Sequence, residues 1–371
     1  MGAKQMRKVW AVADWVFSPL GNGTEINFDR VRRGESGVRD FTYPEDREEV
    51  FKLSWIEDDI SVNGFTRFES LCALALQGIL GRVKVDFDKT LFVLSTTKGN
   101  IEVAGNGGVD TLSLSGSASR LAKHFGFKHT RVVSNACISG VLGLIVAKRF
   151  IQSGHFDHAV VVGADVISQF VVSGFKSLQA LSPEVCRPFD ARRNGINLGE
   201  AAAGIVLTAE PDAAGGDYRV SFTGEGLSND ANHISGPSRT GEELALAITK
   251  AISTANIKRT DVDFVSAHGT ATLYNDEMEA RAFFLAGFEG VPVNSLKSYF
   301  GHTLGAAGVL ESAISIRSLI NSELIGTLGF ETRGVTMPLK VTTKTQAWPI
   351  RKLVKTASGF GGCNAAIVFE K

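Results

Sequence analysis

The stretch VVSNACISGVLGL (132–144) decides how this chain is read. A β-branched run ends in a turn of small residues, a cysteine follows, and an apolar helical pattern begins at once. Strand, tight turn and helix in that order place Cys137 at a helix N-terminus, where unpaired N–H groups and the helix dipole favour thiolate. The same turn leaves a backbone N–H beside the sulfur, able to hold an oxyanion. Taken alone, Cys137 has two equal accounts: a nucleophile, or a small buried hydrophobe, the usual fate of a free cysteine.

Working outward, the helix that follows (138–153) is apolar around most of its circumference and carries Gly140 and Gly143 at i, i+3. The segment LGAAGVLESAISIRSLI (304–320) is built the same way. Such helices sit inside a structure, where small residues permit close approach. Short β-branched runs at 8–16, 90–95, 158–163, 204–208, 262–267 and 365–369 predict strands. They alternate with helical patterns at 65–80, 116–125, 138–153, 241–255, 276–285 and 306–321. That alternation defines α/β architecture, and two buried helices between sheets define a layered one. GINLGEAAAGIVLTAE (195–210) and SGFGGCNAAIVFEK (358–371) each run from a glycine-rich turn into a similar strand, which suggests a duplication. The Pro-, Gly- and Asp-containing PDAAGGDYR (211–219) then divides the chain into halves 1–213 and 214–371.

Two histidines stand where chemistry is common. His268 ends an apolar strand in VDFVSAHGTAT (262–272), and strand ends in open α/β sheets are ligand sites. His302, in NSLKSYFGHTLGAAGVLE (294–311), lies just before a long helix, whose N-terminus keeps an imidazole neutral and able to donate from Nε. Singly, each is better explained as a satisfied structural histidine.

The composition excludes several functions. Lys+Arg and Asp+Glu both number 39, so net charge implies no nucleic-acid surface. The four cysteines are dispersed, which fits neither a disulfide framework nor a zinc site, and no metal is expected. The opening residues (1–17) read as a first strand rather than a signal peptide, and no apolar run reaches the ~18 residues of a membrane span. A reducing cytoplasm is the expected location.

SNACISG (134–140), SAHGTAT (266–272), SLKSYFGHTLGAAGVLE (295–311) and SGFGGCNA (358–365) resemble, in order, the four active-site motifs of β-ketoacyl-acyl carrier protein synthases, the Cys-His-His condensing enzymes of the thiolase superfamily. VFSPLGNG (16–23) is similar to that family's opening strand and turn. GFKSLQALSPEVCRPFDARRNGINLGEAAAGIVL (174–207) is similar to the stretch closing its first half. The resemblance covers nearly the whole chain. It implies a five-layer αβαβα thiolase sandwich of two similar halves.

It also implies that Cys137 takes an acyl group as a thioester, and that His268 and His302 stabilise the enolate formed when a malonyl extender loses CO2. Lys297, preceding the second histidine, would help orient it and set the local field, with Glu311 as a supporting acid. The N–H groups of Cys137 and Phe360 would form the oxyanion hole, with Phe360 as the gate. Thr270, Thr272, Phe175 and Gly361 would contact substrate. No bound cofactor is implied, because phosphopantetheine arrives on an acyl carrier protein. The expected partners are that carrier, acyl- and malonyl-thioesters, and a second synthase subunit in a homodimer or heterodimer.

The chain departs from the family at three places. The segment 40–65 is short and carries acidic Glu57, Asp58 and Asp59. HGTAT continues as LYNDEMEARAFF in place of Pro-Leu-Gly-Asp-Pro. Thr356, Ala357 and Ser358 replace Asn, Ser and Phe beside the gate. These changes lean towards a specialised synthase of a polyene or other secondary acyl product. The alternative is a non-catalytic, chain-length-factor-like subunit of a heterodimer, although such subunits typically lack the nucleophile. Thiolases and starter-type synthases fit less well, since GHTLGAAG keeps the second histidine.

Overall fold

Buried β-branched strands alternate with helices in one pattern that runs through the chain twice. The computed structural model describes residues 6–371 apart from 44–45, 63, 105–108, 232–233 and 235. The first pass comprises β1 (Trp10–Ser18), α1 (Arg67–Leu80), β2 (Thr90–Ser95), α2 (Leu114–Phe125), β3 (His129–Val133), α3 (Ser139–Gln152), β4 (His158–Asp165) and β5 (Ala201–Thr208). The second comprises β6 (Val220–Asn229), α4 (Glu242–Ala255), β7 (Phe264–Ser266), α5 (Leu273–Leu285), β8 (Pro292–Asn294), α6 (Ala307–Asn321), β9 (Lys352–Gly359) and β10 (Cys363–Glu370).

The strands line up as β3-β2-β4-β5-β1 and then β6-β10-β9-β7-β8, two mirrored copies of one order. In each copy the three outer strands, β3-β2-β4 and β9-β7-β8, are parallel, and the two inner ones pair antiparallel. The expected two sheets are hydrogen-bonded into one where β1 meets β6, at Trp10–Ser221 and Ala11–Val220. Helices α3 and α6 touch strands of both copies, whereas α1 and α2 cover the first and α4 covers the second, with α5 packed on α4. Three apolar cores fill the gaps. The central one holds Leu144 and Leu310, and the outer two hold Phe68 with Val160 and Ile248 with Phe283. This is the five-layer αβαβα sandwich.

The two inner helices meet backbone to backbone. A Cβ added at Gly308 would lie 2.3 Å from the amide nitrogen of Val141, and one at Gly140 would lie 2.7 Å from that of Val309. Small residues are therefore a condition of the layer spacing, as their density in both segments suggests. Leucines such as Leu144 and Leu310, each worth about 1.5–3 kcal/mol when fully buried, hold the contact closed.

The expected strands and helices all form, with ends moved by up to three residues. Helix α1 starts at a capping box in which Thr66 and Glu69 satisfy each other's backbone N–H groups. Strands β6 and β9, the hairpin of Val38–Tyr43 with Asp46–Ser54, and a helix over Gln169–Ser177 carried no clear pattern in the sequence. In β6 the polar residues and Gly224 and Gly226 mask a strand whose alternate residues are buried. Among the described residues no helix is long and apolar enough to cross a membrane.

Candidate active site

Cys137 sits between β3 and α3 at a turn forced by Ala136, whose φ of 45° is rare for a residue with a side chain. Ser139 fixes the turn, its hydroxyl accepting from the Asn135 N–H at 2.8 Å and donating to the Ala136 carbonyl at 2.6 Å. The turn is completed by Gly359 of β9. A Cβ there would stand 3.1 Å from the amide nitrogen of Cys137 and 3.0 Å from Cys363 Sγ, so only glycine leaves the Cys137 N–H accessible.

The helix terminus alone suggested a thiolate, and here the structure corrects the expectation. Burial pushes the Cys137 thiol up to about 12, against the opposing pull of Lys297 and Lys98. Desolvation of the anion outweighs the two lysines, which favours the thiol as the resting form. Its proton must leave as the sulfur attacks, and the neighbours are imidazoles. Cys137 Sγ and one ring nitrogen each of His268 and His302 all lie within 4.8 Å of one another.

His268 follows β7 and His302 follows β8 after a short helix, Lys297–Phe300. Their rings stand 5.1 Å apart and nearly perpendicular, at 83°. Both are buried, and burial, reinforced by Lys297 and Lys355, holds both far below the ordinary histidine range. Both are neutral at pH 7. Lys297 Nζ lies 3.3 Å from His268 Nδ1, which makes Nδ1 the acceptor and leaves the ring proton on Nε2. Neither ring nitrogen of His302 has a hydrogen-bond partner among the described residues, which is costly for a buried imidazole unless a guest supplies one.

Lys297 was expected to orient His302. Its fully buried ammonium instead donates to the His268 carbonyl at 2.6 Å and to Glu311 Oε1 at 2.6 Å. Burial would raise the Glu311 carboxyl, but Lys297 and Lys355 overcome it and hold the group below its usual range. The Cys–His–His donor set would suit a soft cation by type. The two ammonium groups behind it favour an anionic guest.

The triad opens into a cleft of about 500 Å³. Thr270 and Thr272, whose hydroxyls lie 2.8 Å apart, line it together with Phe175 and Phe360. The Phe175 and Phe360 rings stack at 5.9 Å. Gly361 does not line this cleft. It is exposed in the turn between β9 and β10, with φ at +85°, and its role there is to make the turn.

Four charged residues were missed. Lys355 of β9 is fully buried and donates to Glu311 Oε2 at 2.6 Å. Asp276 and Glu279 of α5 are buried and hold the His268 turn. Glu279 accepts from the N–H groups of His268 and Gly269, and Asp276 from those of Thr270 and Ala271. Asp165, at the end of β4, accepts from the N–H groups of Thr97 and Gly305. For the carboxylates of α5 a signal existed, since i, i+3 spacing directly after HGTAT puts both on one helix face.

A cysteine, two neutral histidines and backbone donors meeting at the ends of two inner helices define an acyl-transfer site on a thiolase-type scaffold. Residues 83–213 match the family described as beta-ketoacyl synthase, N-terminal domain, and residues 220–331 match its C-terminal domain. A putative polyketide beta-ketoacyl synthase 1 of Streptomyces halstedii is 33% identical over 265 residues, which are 68% of this chain and 63% of that protein. The 3-oxoacyl-[acyl-carrier-protein] synthase 2 of Vibrio harveyi is 28% identical over 410 residues, covering 98% and 99% of the two chains. A chain from the Xenorhabdus doucetiae ketosynthase ApeO in complex with its chain length factor ApeC shares the fold, with a TM-score of 0.88, 24% identity and 98% of each chain covered. The protein belongs to the β-ketoacyl synthase family and is an acyltransferase of that class.

Proposed function

We propose that Cys137, His268 and His302 together carry a decarboxylative Claisen condensation. The Cys137 sulfur attacks the carbonyl of an acyl thioester, its proton leaves with the departing carrier thiol, and the acyl group is held as a new thioester. The N–H groups of Cys137 and Phe360 hold the oxyanion of that step. A malonyl thioester then enters along Thr270 and Thr272. The imidazole Nε–H groups donate to its thioester oxygen as the C–C bond to the carboxylate breaks, CO2 departs, and the pair of electrons becomes an enolate. The enolate carbon attacks the acyl carbonyl, the carbon–sulfur bond to Cys137 breaks, the β-ketoacyl chain leaves on the carrier, and the released thiolate takes a proton from solvent in the cleft to become the thiol again. Neutral imidazoles suit this step, because an imidazolium would hold the malonyl carboxylate in place.

The observation that carries the reading is the convergence of Sγ and two uncharged imidazoles within 4.8 Å, with the ring of His302 left unpartnered. In this reading no cofactor is resident, and phosphopantetheine comes in on an acyl carrier protein. The two halves are 1–213 and 214–371, the site works in a dimer, and the protein acts in the cytoplasm. Ser358 at the cleft, its hydroxyl bonded to Asn364 Oδ1 at 2.7 Å, leaves room that a Phe would fill and supports a specialised acyl product.

Mass spectrometry after incubation with acyl thioesters of several lengths tests the reading. An adduct on Cys137, absent from Cys137→Ala, supports it. No adduct at any length transfers support to the non-catalytic, chain-length-factor-like subunit.

A further inference from the structure

Behind the histidines two buried lysines share one carboxylate. Glu311 is a single carboxylate with one lysine on each oxygen: Lys297 Nζ on Oε1 and Lys355 Nζ on Oε2, both at 2.6 Å. Both lysines are 0% exposed. The two ammonium groups also share a backbone target. Lys355 donates to the carbonyls of Ser266 and Ala267 at 3.3 and 3.0 Å, and Lys297 to that of His268 at 2.6 Å. Three successive carbonyls at the end of β7 are thus occupied by two lysines from different elements, and His268 ends that run.

A core staple does not need this arrangement. A buried ion pair is often no better for stability than an apolar substitute, and a second buried ammonium, whose other carboxylate Glu279 is raised by burial to about 7 and only partly ionised, adds a further desolvation cost. Charge kept in a dry interior without a stabilising reason marks a functional site. The two lysines act on both imidazoles, where an enolate develops in the proposed condensation, on which this inference rests.

We infer that Lys355 is a positioning residue for decarboxylation: with Lys297 it clamps Glu311 and the strand end bearing His268, and places a second cation near the imidazoles that favours the enolate. The charged and titratable groups around the imidazoles are the Cys137 thiol and Lys98 from the first half, and Lys297, Glu311, Glu279 and Lys355 from the second. Of these, Lys297 and Lys355 act on both histidines. Lys355 does not line the cleft, so substrate binding does not depend on it directly.

The test measures malonyl-thioester decarboxylation in the full-length protein carrying Lys355→Met or Lys355→Gln, across pH 5–9. Met removes the charge and the donors. Gln removes the charge but keeps amide donors for Glu311 and the Ala267 carbonyl. Both variants should lose about tenfold or more in kcat with KM nearly unchanged, as for groups that act through a neighbour. The acid limb of the rate profile should move to higher pH in both, because imidazoles freed of a nearby cation accept a proton earlier. A rate loss with an unmoved acid limb makes Lys355 merely structural and overturns the inference, as does no loss at all. If neither variant folds, Lys355 is a staple and the inference fails. Absence of decarboxylation in the wild-type protein defeats the reading of the site itself, a separate result from variants that match an active wild type.

Discussion

The two halves share strand order, strand direction and helix placement, yet they present opposite chemistry at matching points. In the first half β3 leads to Cys137 and then to α3. In the second, β8 leads through a short helix to His302 and then to α6. These are corresponding positions, and the two helices touch at Gly140 and Gly308. The strand before each pair shows the same contrast. The turn after β2 carries Thr96, Thr97 and Lys98, whereas the turn after β7 carries His268. The scaffold brings four strand ends together, and the residues placed on those ends decide what they do. In the proposed condensation one half contributes the atom that bonds to carbon. The other contributes neutral hydrogen-bond donors and the buried charges behind them.

Removing the distinctive group of each half measures the contrast most directly. Cys137→Ala should abolish the acyl adduct and lower condensation by at least about 10⁴-fold, as loss of a covalent nucleophile does. It should leave the second half's chemistry, release of CO2 from a malonyl thioester, in place. Loss of both activities together would mean that the halves do not divide the work. His302→Ala should do the reverse. Acylation of Cys137 persists, while decarboxylation falls about 10²–10³-fold, the range for removing one preorganised donor. Unchanged CO2 release in that variant would mean that His302 does not stabilise the enolate.

Much of this division could be read from the chain. Strand, small-residue turn and glycine-bearing helix announced Cys137, and the second apolar helix announced its counterpart. The motif order supplied both histidines. What stayed hidden were the charges that tune them. KLVKTASG carries no clear strand pattern, and nothing local shows that Lys355 will meet Glu311, 44 positions earlier in numbering, in the interior. Asp276 and Glu279 share one face of the expected helix at 276–285, but their partners are backbone N–H groups, which leave no mark in the side-chain sequence. The thiol's state was misjudged for a related reason: burial is a property of all five layers, while a helix terminus is visible in one segment.

The close approach of α3 and α6 offers a structural test of the same pairing. Gly308→Ala puts a methyl 2.3 Å from the Val141 amide nitrogen, against backbone that cannot swing aside. Overpacking of this kind costs about 1–3 kcal/mol, and the backbone contact argues for the upper end. Urea unfolding should show that loss, and Cys137 acylation should fall as well, because Val141 belongs to the helix that begins beside the nucleophile. Full stability in the variant would mean that the inner helices are not in backbone contact.

The smallest expected effect separates how each half holds its turn. Asp165 serves the first half from a strand, while Asp276 and Glu279 serve the second from one helix face, close enough to repel. Burial, then the charge of Asp276, raises Glu279 to about 7, and burial raises Asp276 to about 6. Acids raised in the folded state stabilise it most below their unfolded values of 4.5 and 3.8, and that contribution is lost as pH climbs through 6 and 7. Glu279→Gln cannot ionise and keeps an acceptor for only one of the two N–H groups, since His268 and Gly269 donate to different oxygens, but that loss is the same at every pH. Between pH 5 and 8 the wild type should therefore lose stability relative to the variant, by on the order of 1–3 kcal/mol, since each tenfold change in proton affinity is worth about 1.4 kcal/mol. Urea midpoints at each pH read the difference directly. A gap that stays constant with pH would show that Glu279 titrates as an ordinary carboxylate, and that the second half holds its turn without the strain assigned to it.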